Sequence, residues 1–493
     1  MYKVITDANG YYAFYNVGVG TYDIVIQKND VVVATEVVEV GIDTSEDVTV
    51  EVEVAEQVSL TNLTYTLWNS FLNMQNILEL RNNGQEALVA DVGVFASNNH
   101  DAEFVKRFTM RVVVPPHGQR DLHLNPVFDL TKDSYGFIEI ATNHSLFDGN
   151  VSYYKPSEIS NGQFDYAFAI PFANSLTGVS YALSNTYYPI NDASAFMSNW
   201  LTVVNPNNVL FKANVIYYAD DGSMLKVLAI QVPPISRLDV DGGHESLGPN
   251  KAGLIEIVPQ DMELPYLSAL VRYASDNSFA FGQVAKHGVS SERVLPITNT
   301  ESRFGYFELA NTLSSSVILN IKLYNSDGNE VGHLVQNVQP KESLHLATKQ
   351  MLPRDSSGTL VFSSNTPQAL VGQMVVYQLN IDSARLATVE NSQALEALGT
   401  NLFGSYNLYL GMNNWLRVFN TSEERTSLTV SVADKELSLT LNPHSRRDIA
   451  IHEFGLGQNT NGALTLTTQT PGSVASQMLR VRTDEFITSL PVR

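Results

Sequence analysis

The sequence predicts an all-β protein made of four tandem antiparallel β-sandwiches of immunoglobulin-like type, preceded by a partial β-domain. Three observations predict it: sequence landmarks that recur four times in the same order, Asp-Gly turns between runs of alternating apolar residues, and many strand-forming Val, Thr, Tyr and Phe residues. The chain has 493 residues, too many for one core, so we expect several domains.

The first landmark is a strand of alternating apolar residues that ends on asparagine. It reads NILELRN, NWLTVVN, GYFELAN and NWLRVFN, starting at Asn76, Asn199, Gly305 and Asn414. Alternation is typical of a half-buried strand, and asparagine is a turn residue. We therefore expect matching strand ends at Asn82, Asn205, Asn311 and Asn420. We also expect core positions for Met74, Met197 and Met412 and for Trp200, Tyr306 and Trp415.

Three more landmarks follow in each repeat. A proline opens the second, at Pro116, Pro234, Pro340 and Pro443. The third is a strand with a glycine near its start (YGFIEI, AGLIEI, SGTLVF, NGALTL), and the fourth is a closing strand. Each repeat thus has six or seven short strands, as in an immunoglobulin-like sandwich. We predict a partial β-domain at residues 1–56 and sandwiches at 57–179, 180–291, 292–395 and 396–493.

The N-terminal residues differ from the repeats. The stretch TDANGYYAFYNVGVGTYDIVI, from Thr6, resembles the carboxypeptidase regulatory-like and Cna-B-type families of prealbumin-like β-domains. The resemblance implies a small β-sandwich of the kind used as a stalk or spacer. Only five residues precede this motif, so we expect missing strands and a signal peptide upstream. The four repeats loosely resemble β-sandwich repeats of large bacterial surface proteins.

Composition excludes several classes of partner and site. The chain carries 30 Lys and Arg against 51 Asp and Glu, a formal net charge of −21. A field of this sign repels nucleic acid and anionic membranes, and we expect neither as a partner. The absence of cysteine excludes disulfides, thiolate metal sites and cysteine nucleophiles. No apolar run approaches the length of a membrane-spanning helix, so we expect no membrane insertion.

The sequence carries no catalytic motif. It lacks a Gly-x-Ser-x-Gly elbow, a phosphate-binding glycine loop and a zinc-binding histidine pair. We therefore expect a protein that is not an enzyme, with no catalytic residues and no cofactor. A catalytic unit hidden in one sandwich is the least favoured alternative.

The best metal candidate is DVDGGHE, where Asp239, Asp241 and Glu245 could offer oxygen ligands to calcium around a glycine turn. The loop lacks the distal glutamate of an EF-hand. Asp239 also belongs to the second landmark, where Asp121 and Asp448 match it. We favour a turn or strand-end role over a calcium site.

Two functions fit these observations. The first is a non-enzymatic extracellular or cell-surface structural protein: a stalk, an adhesin segment or a subunit of a fibre or layer. Its partners would be other protein chains, including copies of itself that pair with the N-terminal β-domain edge. The second is a carbohydrate-binding or accessory region of a secreted enzyme. Exposed aromatic residues would favour glycan binding, and aromatic clusters inside cores, such as FDYAFAIPF at 164–172, would favour the structural role.

Overall fold

The computed structural model describes residues 20–28, 31–40, 59–98, 105–189, 195–380 and 385–493. Nearly all regular structure in these ranges is β-strand, and the helices are single turns. The α-helical turns are α1 (Leu124–Val127) and α2 (His244–Leu247). The 3-10 turns are Phe71–Asn73, Thr348–Gln350, Tyr409–Gly411 and Ile451–Glu453. The predicted all-β fold of tandem sandwiches is confirmed.

The strands form an N-terminal hairpin and four units of eight strands. The hairpin contains β1 (Gly20–Lys28) and β2 (Val31–Val40). Unit 1 contains β3 (Asn62–Asn69), β4 (Gln75–Asn82), β5 (Leu88–Asn98), β6 (Val105–Val114), β7 (Gln119–His123), β8 (Ser134–Thr142), β9 (Phe147–Pro156) and β10 (Phe164–Pro171). Unit 2 contains β11 (Ser180–Asn185), β12 (Met197–Asn205), β13 (Phe211–Tyr218), β14 (Met224–Val232), β15 (Ser236–Asp241), β16 (Ala252–Pro259), β17 (Leu267–Ala274) and β18 (Ala280–Val284).

The second half of the chain repeats this arrangement. Unit 3 contains β19 (Arg293–Asn299), β20 (Arg303–Asn311), β21 (Val317–Asn325), β22 (Glu330–Val338), β23 (Ser343–Ala347), β24 (Ser356–Ser364), β25 (Leu370–Asn380) and β26 (Arg385–Gln393). Unit 4 contains β27 (Asn401–Asn407), β28 (Asn413–Asn420), β29 (Thr426–Val432), β30 (Lys435–Leu441), β31 (Arg446–Ala450), β32 (Asn461–Thr468), β33 (Val474–Arg482) and β34 (Phe486–Val492). The domain boundaries drawn from the sequence stay predictions.

All four units share one topology. The first sheet has the strand order first, sixth, third, fourth, as in β27-β32-β29-β30. The second sheet has the order fifth, second, seventh, eighth, as in β31-β28-β33-β34. Pairing of the second strand with the fifth, and of the third with the sixth, matches the B–E and C–F pairs of an immunoglobulin sandwich. The first and seventh strands differ from the immunoglobulin arrangement. The first pairs with the sixth and the seventh with the second, so each lies in the opposite sheet from its immunoglobulin counterpart.

The first-landmark asparagines lie at the last position of their strands, as predicted: Asn82, Asn205, Asn311 and Asn420. Each uses its side chain in the same way. Asn205 Nδ2 donates to the carbonyl oxygens of Val209, Val232 and Pro233 at 2.7, 3.0 and 2.9 Å. Its Oδ1 accepts a hydrogen bond from the backbone N–H of Asn207. One buried amide thus joins the strand end to the end of the following hairpin.

The core predictions hold for methionine but not for Trp200. Met74, Met197 and Met412 are buried. Trp200 is 45% exposed, so its expected burial is wrong, whereas Tyr306 and Trp415 are partly buried. Strand alternation explains the error. Leu201, which is fully buried, occupies the inward face of β12, and Trp200 must then face outward.

The four units are arranged in a closed ring rather than a row. The closing strands β10, β18, β26 and β34 pack against one another around a common axis, each contacting the closing strands of both neighbouring units. The first unit therefore contacts the fourth directly. Head-to-tail interfaces close into a ring when the rotation between units permits it, and here four units within one chain complete the circle.

The N-terminal hairpin extends the first sheet of unit 1. Strand β2 pairs in parallel with β6, with Val31 opposite Thr109 and Val32 opposite Met110. The TDANG motif lies outside the described residues, so the family resemblance stays a prediction. Strand β2 thus pairs with a strand of the same chain, and the expected pairing of the N-terminal β-domain edge with another chain stays a prediction.

Candidate functional site

The interfaces between units follow one plan. The outer face of each first sheet packs on the second sheet of the next unit. Leu183 and Leu254 of unit 2 meet Ala310 and Val371 of unit 3 in one such apolar cluster. Equivalent clusters join unit 1 to unit 2 and unit 3 to unit 4. Burial of both sheets' outer faces couples neighbouring sandwiches into one body.

The interface between units 4 and 1 contains a fully buried ion pair. Arg480 of β33 donates from Nη1 and Nη2 to Oε1 and Oε2 of Glu79 on β4, both at 2.6 Å. Ser152 also donates to Glu79, and Arg480 reaches the hydroxyl of Ser405. Burial alone would raise the pKa of Glu79, but the Arg480 charge and hydrogen bonds hold that pKa below its usual value.

The interface between units 2 and 3 repeats this pair. Arg272 of β17 forms two hydrogen bonds of 2.8 Å with the carboxylate of Glu308 on β20. Asn185 and Gln373 donate to the same carboxylate. Glu308 lies three positions before its strand-ending asparagine, as Glu79 does, so the two pairs occupy equivalent places in the ring.

The other two interfaces use a different arginine. Arg237 of unit 2 donates to the backbone oxygens of Trp68 and Gly136 in unit 1 at 2.9 and 2.7 Å. Its equivalent in unit 4, Arg446, donates to the oxygen of Gly358 in unit 3 at 3.2 Å. Arginines that donate to backbone oxygens thus mark these two interfaces, and the interface between units 3 and 4 also contains a buried ion pair, Arg417 of β28 with Glu390 of β26 at 2.7 Å.

The structure assigns the proposed calcium ligands to other partners. Asp239 accepts two hydrogen bonds from Arg237 at 2.9 and 2.8 Å and one from Thr202 at 2.7 Å. Asp241 accepts from the backbone of Gly243 and pairs with His244, and Glu245 is exposed. Within the described ranges no group of three His, Asp or Glu side chains is placed to hold a metal ion. This favours the strand-end role of Asp239.

A cavity lies on the ring axis, where the closing strands end. Its volume is about 970 Å³, and all four units contribute to its lining. The wall carries three cationic side chains, Lys286, Arg293 and Arg493, and two carboxylates, Asp148 and Glu396. Exposed residues such as His287 stand at its rim. The wall therefore mixes charged and apolar side chains, and solvent can reach the cavity.

Lys286 is the most perturbed group in this wall. Burial lowers its pKa to about 7, and the nearby charges of Arg493 and Arg293 contribute to the shift. The side chain is partly exposed and lines the cavity. Its backbone N–H and oxygen pair with Tyr181, which fixes its position in the wall.

Sequence reasoning missed these residues for an identifiable reason. Glu79 and Arg480 stand at strand positions that look like ordinary solvent-facing charges in an alternating pattern. The cavity cations come from segments far apart in the chain. The repeated glutamate three places before Asn82 and Asn311 is the one signal that could have indicated a shared interface role.

The aromatic clusters lie mostly inside the molecule. Tyr166, Phe168, Ile170 and Phe172 are buried, and so is Tyr188. The exposed aromatic residues in the described chain are scattered: Phe196, Trp200 and Tyr409. Trp200 stands beside His244, with 5.6 Å between ring centroids.

Comparisons with known proteins give no assignment. No protein-family model matches the chain, and no curated protein matches its sequence. In the part of the chain that the structure describes, no helix has the length and apolar character to cross a bilayer.

Proposed function

We propose that this protein is a non-enzymatic structural component of a cell surface or extracellular assembly, in which the four sandwiches act as one rigid block. The observation that carries this proposal is ring closure through the buried Glu79–Arg480 pair. Four coupled interfaces suit a part that must keep its shape under load, because no sandwich can separate without exposing apolar faces and unpaired charges.

The burial of the aromatic clusters supports this role over glycan binding. A carbohydrate-binding surface normally presents several exposed rings beside polar groups. Here the densest cluster, residues 164–172, lies in the core of unit 1 and against its neighbours. The alternative role would rest on Trp200 and His244, and loss of glycan binding in Trp200→Ala would favour it.

Assembly with other copies would use the sheet edges that ring closure leaves free. In unit 1 the fourth strand, β6, is paired with β2. Its equivalent in unit 3, β22, pairs with no other described strand on its outer edge. Val331, Leu334 and Val335 on this strand are 44%, 42% and 56% exposed. Unpaired edges with apolar side chains recruit strands from other chains, so we propose that copies associate there.

Two experiments test the proposed function. Antibodies to the folded chain should label intact source cells or their extracellular matrix, and labelling that requires permeabilised cells would contradict the proposal. Sedimentation of the purified chain should show concentration-dependent association. Val335→Lys should weaken that association and Val335→Thr, the uncharged control, should retain more of it. Equal association in both variants would exclude this edge.

A further inference from the structure

We propose that Tyr187 and Tyr306 form a modification site, where oxidation couples the two rings into dityrosine and joins unit 2 covalently to unit 3. The chemistry of this pair does not depend on the structural role proposed above, although a covalent link between units would serve that role. The argument rests on contact between the two rings, on the side chains that hold them in place, and on their partial exposure.

The two rings touch across the interface between units 2 and 3. Tyr187 follows strand β11 of unit 2, and Tyr306 lies in strand β20 of unit 3. Their ring centroids are 4.7 Å apart, and their hydroxyl oxygens share a hydrogen bond of 2.5 Å. A tyrosyl radical carries much of its unpaired electron on the ring carbons beside the hydroxyl. Contact between the hydroxyls therefore brings the reactive carbons of both rings together.

Neighbouring side chains hold both rings in place. The Oδ1 atom of Asn185 accepts a hydrogen bond from the backbone N–H of Tyr187 at 2.7 Å. Asn185 also donates to the buried Glu308 carboxylate in the same interface. His345 stacks on Tyr306 with 4.2 Å between ring centroids and meets Tyr187 edge-on at 5.0 Å. Two reactants held in contact couple with little loss of freedom, so this pair is preorganised for the reaction.

An oxidant and water can reach the pair, because Tyr187, Tyr306 and His345 are each partly exposed. Burial, followed by the hydrogen bond to Tyr187, raises the pKa of Tyr306, so this phenol keeps its proton at neutral pH. Burial lowers the pKa of His345, so its imidazole is neutral at pH 7. The ring stacked on Tyr306 therefore adds no positive charge that would oppose the loss of an electron.

The modification is a two-electron oxidation. Each phenol loses one electron and one proton to become a tyrosyl radical, and a carbon–carbon bond forms between the ortho carbons of the two rings. The hydrogen on each bonded carbon then moves to the oxygen of its own ring, which restores both phenols. Hydrogen peroxide, activated by a haem peroxidase, accepts the two electrons and two protons and becomes two water molecules. The protein thus loses two hydrogen atoms for each peroxide consumed.

Oxidation of the full chain with limiting hydrogen peroxide and a haem peroxidase tests the proposal. The protein is kept dilute, and single chains are separated from linked ones before measurement. Dityrosine fluorescence should appear in the single chains, and peptide mapping should find the Tyr187 peptide joined to the Tyr306 peptide. Tyr187→Phe should abolish this link and most of the fluorescence. Tyr409→Phe, which removes an exposed ring of unit 4, should leave both unchanged.

Stability gives a second readout. A link between Tyr187 and Tyr306 closes a long loop in the unfolded chain, and a cross-link of this kind restricts the unfolded state more than the folded one. The urea midpoint of the native chain should therefore rise after oxidation. The midpoint of Tyr187→Phe should not rise under the same treatment.

The outcomes decide the proposal. Equal single-chain fluorescence from Tyr187→Phe and the native chain would overturn it, and so would linked peptides that join other tyrosines in place of this pair. A mapped link that leaves the urea midpoint unchanged would overturn the stabilising effect. If the melting curve shows that Tyr187→Phe does not fold, Tyr306→Phe replaces it, and retained fluorescence in that variant would count against the site. Antibody labelling of source cells tests the proposed function separately, because the coupling reaction does not depend on where the protein resides.

Discussion

Arg480 and Glu79 are 401 positions apart in the sequence and form a buried, two-pronged ion pair with N–O distances of 2.6 Å. This contact joins the last unit to the first. A second pair, Arg272 with Glu308, occupies the equivalent place on the other side of the ring. The sandwiches are therefore held as a cycle, and stability should depend on interface charges as well as on cores.

Arg480→Met should destabilise the protein by roughly 3–5 kcal/mol, because it leaves the Glu79 carboxylate buried without its partner. Chemical denaturation at pH 7 measures this loss. Adding Glu79→Gln should recover part of it, since the unpaired charge is then removed. The control is Arg354→Met, which breaks an exposed pair with Glu301 and should cost between about 0 and 1 kcal/mol. Equal losses in the two single variants would contradict the role given to the buried pair.

Asn205→Asp should cost about 1–3 kcal/mol or more, because it removes the donor that serves three carbonyl oxygens and places a charge beside them. Thermal melting reports the effect. Asn329→Asp, at an exposed hairpin turn in unit 3, is the matched control and should be nearly neutral. A neutral Asn205→Asp would mean that the strand-end amide is not structural.

The interface between units 3 and 4 should weaken in acid. Burial alone would raise the pKa of Glu390, but Arg417 and Arg303 bring it to about 2. A depressed folded-state pKa adds stability above the ordinary value of 4.5, and that contribution is lost as pH falls from about 4.5 toward 2. Glu390→Gln should therefore be less stable than the native chain at pH 7 and should show a shallower loss between pH 5 and about 3. If the free energies of unfolding of the native chain and Glu390→Gln fall in parallel over this pH range, the prediction is contradicted.

The contribution of Asp121 to stability should have the opposite pH dependence from that of Glu390. Burial, together with the charge of Glu79, raises its pKa to about 6. A raised carboxyl pKa means that stability from this group is present below the ordinary value of 3.8 and is lost as pH rises through about 6. Asp121→Asn should then stabilise the chain at pH 8 and should have less effect at pH 4. Urea denaturation at pH 4 and pH 8 measures the sign of the change in free energy of unfolding that Asp121→Asn causes.

The outward-facing Trp200 should differ from core aromatics. Trp200→Ala should change stability by less than roughly 1 kcal/mol, because the ring is 45% exposed. Phe307→Ala, which removes a fully buried ring of unit 3, should cost about 3–5 kcal/mol. Similar melting shifts for the two variants would indicate that Trp200 is buried in solution.

Local features were predictable from the sequence, and long-range ones were not. The closing asparagines follow from strand alternation and turn chemistry within seven residues, so their positions could be predicted. Alternation also separates Trp200 from Leu201, but it does not say which of two apolar faces points inward. Glu79 and Arg480 meet only because four interfaces rotate the chain through a full circle. No local sequence pattern indicates the rotation between neighbouring units. The cavity at Lys286 also forms only because the ring closes.

The closed ring is tested most directly by measuring the distance between units 1 and 4. The chain has no cysteine, so spin labels can be placed at Asn161→Cys and Asp484→Cys without a background. These exposed turns are neighbours, since Arg482 donates to the oxygen of Gly162 and the N–H of Phe164 donates to Glu485. Pulsed electron resonance should give one short, narrow distance that is lost in denaturant. A long or broad distance in the native chain, as a row of four sandwiches would give, would contradict the ring.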